Sequence, residues 1–136
     1  MKQALATVSL LVPSYEAGIR FYVDVLGFRL VEDTQLGGGK RWVTVAPPGD
    51  GGARLLLAEA ASPEQTAAIG RQAGGRVFLF LETDDFWRDY RRYLAAGVTF
   101  REEPRREIYA TVTVFQDPFG NNWDLLEPTR KDGRPA

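Results

Sequence analysis

The chain has 136 residues, a formal net charge of −1 and 44% hydrophobic residues, which is the size and composition of one ordinary globular domain. It contains no cysteine and no histidine, so disulfides, thiolate nucleophiles, zinc fingers and every catalytic or metal site built on imidazole are excluded. Any general acid–base chemistry must therefore use carboxylates, tyrosines, lysines or water.

The first half of the chain predicts one strand, one helix and three further strands. Apolar and polar residues alternate over 5–12, which indicates a strand, and Pro13 and Ser14 then provide a strand end and a helix N-cap. Gly27 is placed to end that helix. Further strands are predicted over 28–33, 41–46 and 54–59, separated by glycine-rich turn sequences. The apolar stripe of the helix is Tyr15, Ile19, Tyr22, Val23 and Leu26.

The second half repeats this order after a connection over 60–75. A strand is predicted over 77–83, Asp84 and Asp85 can cap a helix that ends near Gly97, and strands follow over 98–101, 108–116 and 122–126. The helical stripe is Phe86, Tyr90, Tyr93 and Leu94. Corresponding segments are offset by about 70 residues, which is the pattern of a duplicated module. We therefore expect a single domain made of two βαβββ modules, over 5–59 and 76–128, with a flexible tail over 129–136.

The distribution of basic residues and the length of the apolar runs argue against nucleic acid and membranes as partners. The basic residues are scattered, whereas binding to a duplex needs a contiguous basic stripe. No apolar run approaches the roughly 20 residues that span a bilayer, and the first residues lack the pattern of a secretion signal. We expect a cytoplasmic protein with neither nucleic acid nor a membrane as a partner.

Several segments together resemble the vicinal oxygen chelate superfamily, which includes glyoxalase I, bleomycin-resistance proteins, fosfomycin-resistance enzymes and extradiol dioxygenases. The resemblance rests on VSLLVP at 8–13, AGIRFY at 17–22, VLGF at 25–28, VFLFLETDD at 77–85 and DPFGNNWDL at 117–125. It implies an α+β fold in which both modules form a curled mixed sheet around a cavity, with the helices outside. It also implies a homodimer, and an open sheet with exposed edges is consistent with a second copy as partner.

The resemblance also predicts where a metal site would be, and most of those positions lack suitable side chains. The positions that usually carry ligands match Thr7, Phe78, either Leu55 or Leu56, and Asp124. Only Asp124 offers a carboxylate, and a single carboxylate is too few oxygen ligands to hold a divalent cation. Glu82, Asp124 and Thr7 together are a weak alternative metal site, restricted to hard cations.

Two acids and two aromatic residues have alternative interpretations. Glu82 either faces the cavity with Phe78 and Phe80 or is a solvated carboxylate at a strand end, and Asp124 either faces the cavity or is a buried, hydrogen-bonded acid. Trp42 and Tyr109, on predicted strands, either line the cavity or belong to the core.

The functional prediction is a metal-independent protein that binds a planar or hydrophobic small molecule. The candidate ligand-binding residues are Thr7, Trp42, Phe78, Glu82, Tyr109 and Asp124, and no catalytic residue is assigned. Two alternatives remain open: a metal-dependent enzyme resembling glyoxalase I or an extradiol dioxygenase, and a degenerate homologue without a ligand. No cofactor is expected under the first interpretation, and a divalent metal ion is expected under the enzyme alternative.

Overall fold

A computed structural model describes residues 1–130 and shows two successive sheets, each with its own helix. The chain forms compact units over Met1–Ile69 and from Gly70 onward. The helical segments are α1 (Tyr15–Ile19), a π-helical segment (Arg20–Val25), α2 (Pro63–Ala68) and α3 (Phe86–Ala95). The strands are β1 (Thr7–Val12), β2 (Arg29–Gly37), β3 (Lys40–Ala46), β4 (Arg54–Glu59), β5 (Val77–Glu82), β6 (Thr99–Phe100), β7 (Arg105–Arg106), β8 (Ala110–Gln116) and β9 (Asn122–Pro128).

The first unit is a four-stranded sheet in the order β1-β4-β3-β2. β1 and β4 are parallel, whereas β3 pairs antiparallel with both β4 and β2. One face carries the core residues Leu10, Val12, Val43, Val45 and Leu57. α1 packs on this face through Gly18, where an added Cβ would lie 3.0 Å from a Leu57 methyl and 3.1 Å from a Val12 methyl. The predicted strand–helix–three-strand order is confirmed.

The first helix differs from the predicted regular α-helix because it continues as a π-helical segment. A π turn contains an extra residue relative to an α turn and therefore shifts the buried face. Phe21 and Tyr22 are consequently both buried, while Ile19 and Val23, two members of the predicted stripe, are only half-buried. The helix still ends at Gly27, whose φ is 82°.

The second unit repeats the same topology, with the sheet order β5-β9-β8-β6 and β7 paired to β8. Its core is aromatic: Phe115 stacks on Trp123 at a centroid distance of 5.7 Å and meets Tyr93 of α3 at 5.6 Å. Burial raises the pKa of Tyr93 to about 12. The α+β class and the two-module architecture predicted from the repeat are thereby confirmed.

Each module uses a glutamate of its last strand to cap its own helix. Glu59 accepts a hydrogen bond of 3.1 Å from the Tyr15 amide, and Glu127 accepts one of 2.8 Å from the Phe86 amide. These amides begin α1 and α3, where backbone donors lack partners inside the helix and a negative charge is favoured. The duplication therefore extends to the contact that fixes each helix to its sheet.

The buried stripe of α3 also differs from the prediction. Leu94 is 53% exposed, whereas Asp89 is buried. Asp89 accepts hydrogen bonds from the Thr83 hydroxyl and the Arg88 guanidinium. Burial alone would raise its pKa, but these two hydrogen bonds hold the pKa below its usual value. A carboxylate with these partners can thus be buried, although the predicted stripe contained only Phe86, Tyr90, Tyr93 and Leu94.

Three boundaries differ from the sequence-based expectation. The connection over 60–75 contains α2, which Ser62 caps by accepting a hydrogen bond from the Gln65 amide. The predicted strand over 108–116 begins only at Ala110, so the placement of Tyr109 on a strand was wrong. The predicted tail over 129–136 lies mostly outside the described residues, and the Thr129 amide donates to the Tyr109 carbonyl at 2.8 Å. No helix within residues 1–130 combines the length and hydrophobicity needed to span a membrane.

Candidate functional site

Each sheet has one face against its helix and a second face, which we call the helix-free face. Residues paired across strands share a face, so the strand registers define its members. In the first sheet they include Thr7, Ser9, Glu32, Trp42, Thr44, Arg54 and Leu56. In the second they include Phe80, Glu82, Val112, Val114, Asn122, Asp124 and Leu126. All the predicted site residues except Phe78 and Tyr109 thus lie on a helix-free face, with Thr7 and Trp42 in the first unit.

Asp124 lies at the centre of the helix-free face of the second sheet. Its neighbours across the strands are Phe80 on β5 and Val114 on β8. The adjacent residues Trp123 and Leu125 point to the helix side, where they are 3% and 0% exposed. This alternation is the one predicted from the sequence, and it gives a half-buried carboxylate a partly apolar surrounding.

The Asp124 carboxylate has an unusual electrostatic environment. Within residues 1–130 it forms no hydrogen bond or ion pair, and burial raises its pKa, with a further increase from the charge of Glu102. Arg105 opposes this effect, but its guanidinium already binds Glu102 at 2.6 Å and Glu107 at 2.9 Å. Burial is thus the main cause of the raised pKa, and the carboxylate that adds to it is Glu102.

Glu82 and Phe80 are both exposed on this face, and Phe80 is 64% exposed. Glu82 is paired with Leu126, one row beyond Asp124. Phe78 is half-buried and lies at a register shift, because Val77 is opposite Asn122 and Leu79 is opposite Trp123. The bulge interrupts the simple alternation from which Phe78 was predicted to share a face with Phe80.

Tyr109 is 58% exposed and precedes β8. Its hydroxyl lies 3.4 Å from the Arg105 guanidinium. The positive charge of this guanidinium also opposes the increase in the pKa of Asp124. Arg105 therefore contacts Tyr109 directly and acts on Asp124 through its charge. The signal that could have identified it is the proximity of Glu102, Arg105 and Glu107 in sequence, a spacing that suits ion pairs within a short loop.

Among residues 1–130, acidic side chains are not grouped in the way that a divalent metal site usually requires. No group of three acidic residues within residues 1–130 lies close enough together to hold an ion. Of the positions that the resemblance associates with metal ligands, Leu55 is buried and apolar, and Phe78 is apolar too. A hard cation needs about six oxygen ligands, of which this set provides one carboxylate and one hydroxyl.

The sequence reasoning missed Thr44, which lies beside Trp42 on β3. Thr44 is only 2% exposed, and its hydroxyl oxygen is buried without a hydrogen-bond partner in the described part of the chain. The sequence alternation over β3 already placed Thr44 on the same face as Trp42. Its burial could not be read from the sequence, because it depends on side chains from two other strands.

Comparison with known proteins identifies the family. A model of the Glyoxalase/Bleomycin resistance protein/Dioxygenase superfamily matches residues 4–125, so the chain belongs to that superfamily. It is 55% identical over 128 residues to a protein of Shewanella frigidimarina (strain NCIMB 400), with 93% of this chain and 95% of that protein covered.

Two solved structures are similar over nearly the whole chain. UcmS2 matches with a TM-score of 0.79 and 28% identity, covering 93% of this chain and 98% of that one. TnmS3, described as an antibiotic binding protein from Streptomyces sp. CB03234, matches with a TM-score of 0.74 and 30% identity, covering 93% and 97%. These comparisons establish the superfamily and its architecture, and they include a neighbour that binds a small molecule.

Proposed function

We propose that this protein binds a planar or hydrophobic small molecule on the helix-free faces of its sheets and does so without a metal ion. The observation that carries the proposal is the position of the exposed aromatic residues. Trp42 is 39% exposed and Phe80 is 64% exposed, and each stands on a helix-free face beside polar groups. Aromatic surface with a few polar neighbours is typical of small-molecule sites, in which stacking supplies affinity and polar groups supply orientation.

The similarity to TnmS3 supports the same class of function. That protein is 30% identical over 93% of this chain and is described as binding an antibiotic. Ligand binding needs no catalytic residue, which agrees with a chain that has neither histidine nor cysteine. The metal-dependent enzyme alternative lacks comparable support, because the four positions considered for ligands include only one carboxylate.

The test is a calorimetric titration with 1-naphthalenemethanol, a neutral planar probe, in the presence of EDTA. We expect saturable binding that weakens at least about fivefold in Trp42→Leu, because stacking on an aromatic side chain contributes roughly 1–3 kcal/mol. Trp87→Leu is the matched control: Trp87 is 40% exposed but lies on α3, which packs on the other face of the second sheet. Absence of binding, or equal loss in both variants, contradicts the proposal.

We also propose that the protein is a homodimer. β1 and β5 stand at the ends of their strand orders, and an exposed strand edge is a template for pairing with another chain. Ile108, at 96% exposure, adds apolar surface that a second copy would cover. Multi-angle light scattering at micromolar concentration should give twice the mass of 15.2 kDa, and a monomer mass would contradict the proposal.

A further inference from the structure

The hydroxyl of Thr44 is an exception to the way buried polar groups are normally satisfied. Its side-chain oxygen is the one buried side-chain polar atom within residues 1–130 that lacks a hydrogen-bond partner. Leaving such a group unpaired costs about 1–3 kcal/mol, so its retention calls for an explanation. A partner that arrives from outside the chain is one such explanation.

An ion pair between β2 and β4 crosses β3 beside this hydroxyl. Glu32 of β2 is directly opposite Thr44. On the other side of β3, Leu56 of β4 is opposite Thr44, and Arg54 lies two residues before Leu56 on the same face of the sheet. The guanidinium of Arg54 and the carboxylate of Glu32 approach to 3.8 Å. By this register the line that joins them crosses β3 between Ala46 and Thr44, and both of these residues are buried.

This ion pair is weak enough to be displaced. Its two side chains are 49% and 47% exposed, and the separation of 3.8 Å is long for a charge-assisted hydrogen bond. Exposed pairs of this kind contribute little to stability, since solvent screens them and ordering two long side chains costs entropy. Glu32 can therefore move into solvent and leave two donors, the Arg54 guanidinium and the Thr44 hydroxyl, on the same face.

We propose that Thr44 and Arg54 form a subsite for the anionic oxygen of an aromatic ligand, either a carboxylate or a phenolate. The Glu32 carboxylate occupies this subsite until the ligand binds and displaces it. Trp42 stands two residues along β3, about 7 Å away on the same face, so a ring on the indole brings an attached anion within reach of both donors. The inference rests on the proposed function and names the class of ligand.

The experiment compares three probes with the same ring: 1-naphthoate, 1-naphthalenemethanol and 1-naphthylmethylammonium. We expect naphthoate to bind about tenfold more tightly than the neutral alcohol, because it adds charge-assisted hydrogen bonds. The ammonium should bind most weakly, since it meets a guanidinium. Glu32→Gln should increase this preference for naphthoate by removing the competing carboxylate, and Arg54→Gln should abolish it.

Thr44→Val tests the hydroxyl itself, with Thr44→Ser as the variant that retains it. The ratio of naphthoate affinity to alcohol affinity should fall about fivefold to tenfold in the valine variant, because the anionic oxygen of the probe loses one hydrogen bond. It should be retained in the serine variant and in Trp87→Leu.

The outcomes separate this inference from the proposed function. If the alcohol binds as tightly as naphthoate, or if Glu32→Gln leaves their ratio unchanged, the anion subsite is wrong while small-molecule binding stands. If none of the three probes binds, the proposed function fails and the subsite fails with it. An effect of Thr44→Val on thermal stability alone, with an unchanged affinity ratio, would assign the hydroxyl no role in binding.

Discussion

Adjacent residues of β9 should respond to substitution in opposite ways, because they face opposite sides of the second sheet. Leu125 is 0% exposed on the helix side, whereas Asp124 is half-buried on the helix-free face. Leu125→Ala removes three buried side-chain carbons, which at about 0.8 kcal/mol each gives roughly 2.4 kcal/mol. The cavity left behind raises the expected loss to about 3–5 kcal/mol.

Asp124→Asn should instead leave the stability at pH 7 unchanged or raise it by up to about 1 kcal/mol. The carboxylate makes no hydrogen bond or ion pair within residues 1–130, and burial already disfavours its charged form. An amide of the same shape removes this penalty without creating a cavity. Urea unfolding followed by circular dichroism measures both variants. Equal destabilisation of the two would show that Asp124 supports the fold, and its assignment to a ligand-binding face would be wrong.

Four further outcomes are expected. The pKa of Asp124 is raised above 3.8 in the folded state, so the contribution of this group to stability is greatest below that pH and is lost as the pH rises through the raised pKa. The stability advantage of Asp124→Asn in urea unfolding should therefore be absent near pH 3 and grow towards pH 7. A difference that stays constant with pH would contradict this. Gly70→Ala should destabilise the protein more than Gly74→Ala in thermal melts. Both glycines have positive φ, so each alanine should cost at least about 1 kcal/mol, but only at Gly70 would the added Cβ clash, at 2.0 Å from the Phe119 carbonyl oxygen. Equal losses in the two variants would refute the packing argument. Glu127→Ala should cost about 1 kcal/mol in urea unfolding by removing the acceptor of the Phe86 amide, although the N-cap Asp85 is retained. Glu127→Gln, which keeps an acceptor oxygen, should cost less. Elemental analysis of the dialysed protein should find no stoichiometric Mn, Fe, Ni or Zn, whereas about one metal per chain that is lost in Asp124→Ala would reinstate the metal-enzyme alternative.

The order of the elements could be predicted because the local signals agree with one another. The cap at Ser14 and the glycine at position 27 mark the first helix, and the hairpin between β2 and β3 has three glycines at positive φ. Because the two halves of the sequence repeat the same pattern, the elements predicted for the first half support the same order of elements in the second half. Local signals and the duplicated pattern together specify the module without any knowledge of long-range contacts.

The parts that escaped prediction depend on backbone geometry and side-chain hydrogen bonds that hydrophobic periodicity does not show. The π turn over Arg20–Val25 is not visible in the hydrophobic periodicity, because the apolar residues of this segment also fit the stripe of a regular α-helix. Burial of Asp89 depends on donors from Thr83 and Arg88. Sequence alone would always place an isolated aspartate outside, because it does not show which donors the fold brings to it.

The candidate site could be predicted only in its outline. Alternation along β9 correctly separated Asp124 from Leu125, and the same argument holds for Trp42 on β3. The bulge at Phe78 and the ion pair beside Thr44 are properties of cross-strand register. A register shift of one residue reverses the face of each side chain that follows it, so these features require the structure.

The most direct test of the account is to map a bound probe by NMR amide chemical shifts, with 1-naphthalenemethanol and EDTA present. The account predicts that the perturbed amides cluster on the strands that carry the helix-free faces, around Trp42 and Thr44 on β3 and around Phe80 and Asp124 on β5 and β9. Perturbations that cluster on α3 around Trp87, or binding that appears only after a divalent metal is supplied in place of EDTA, would contradict it.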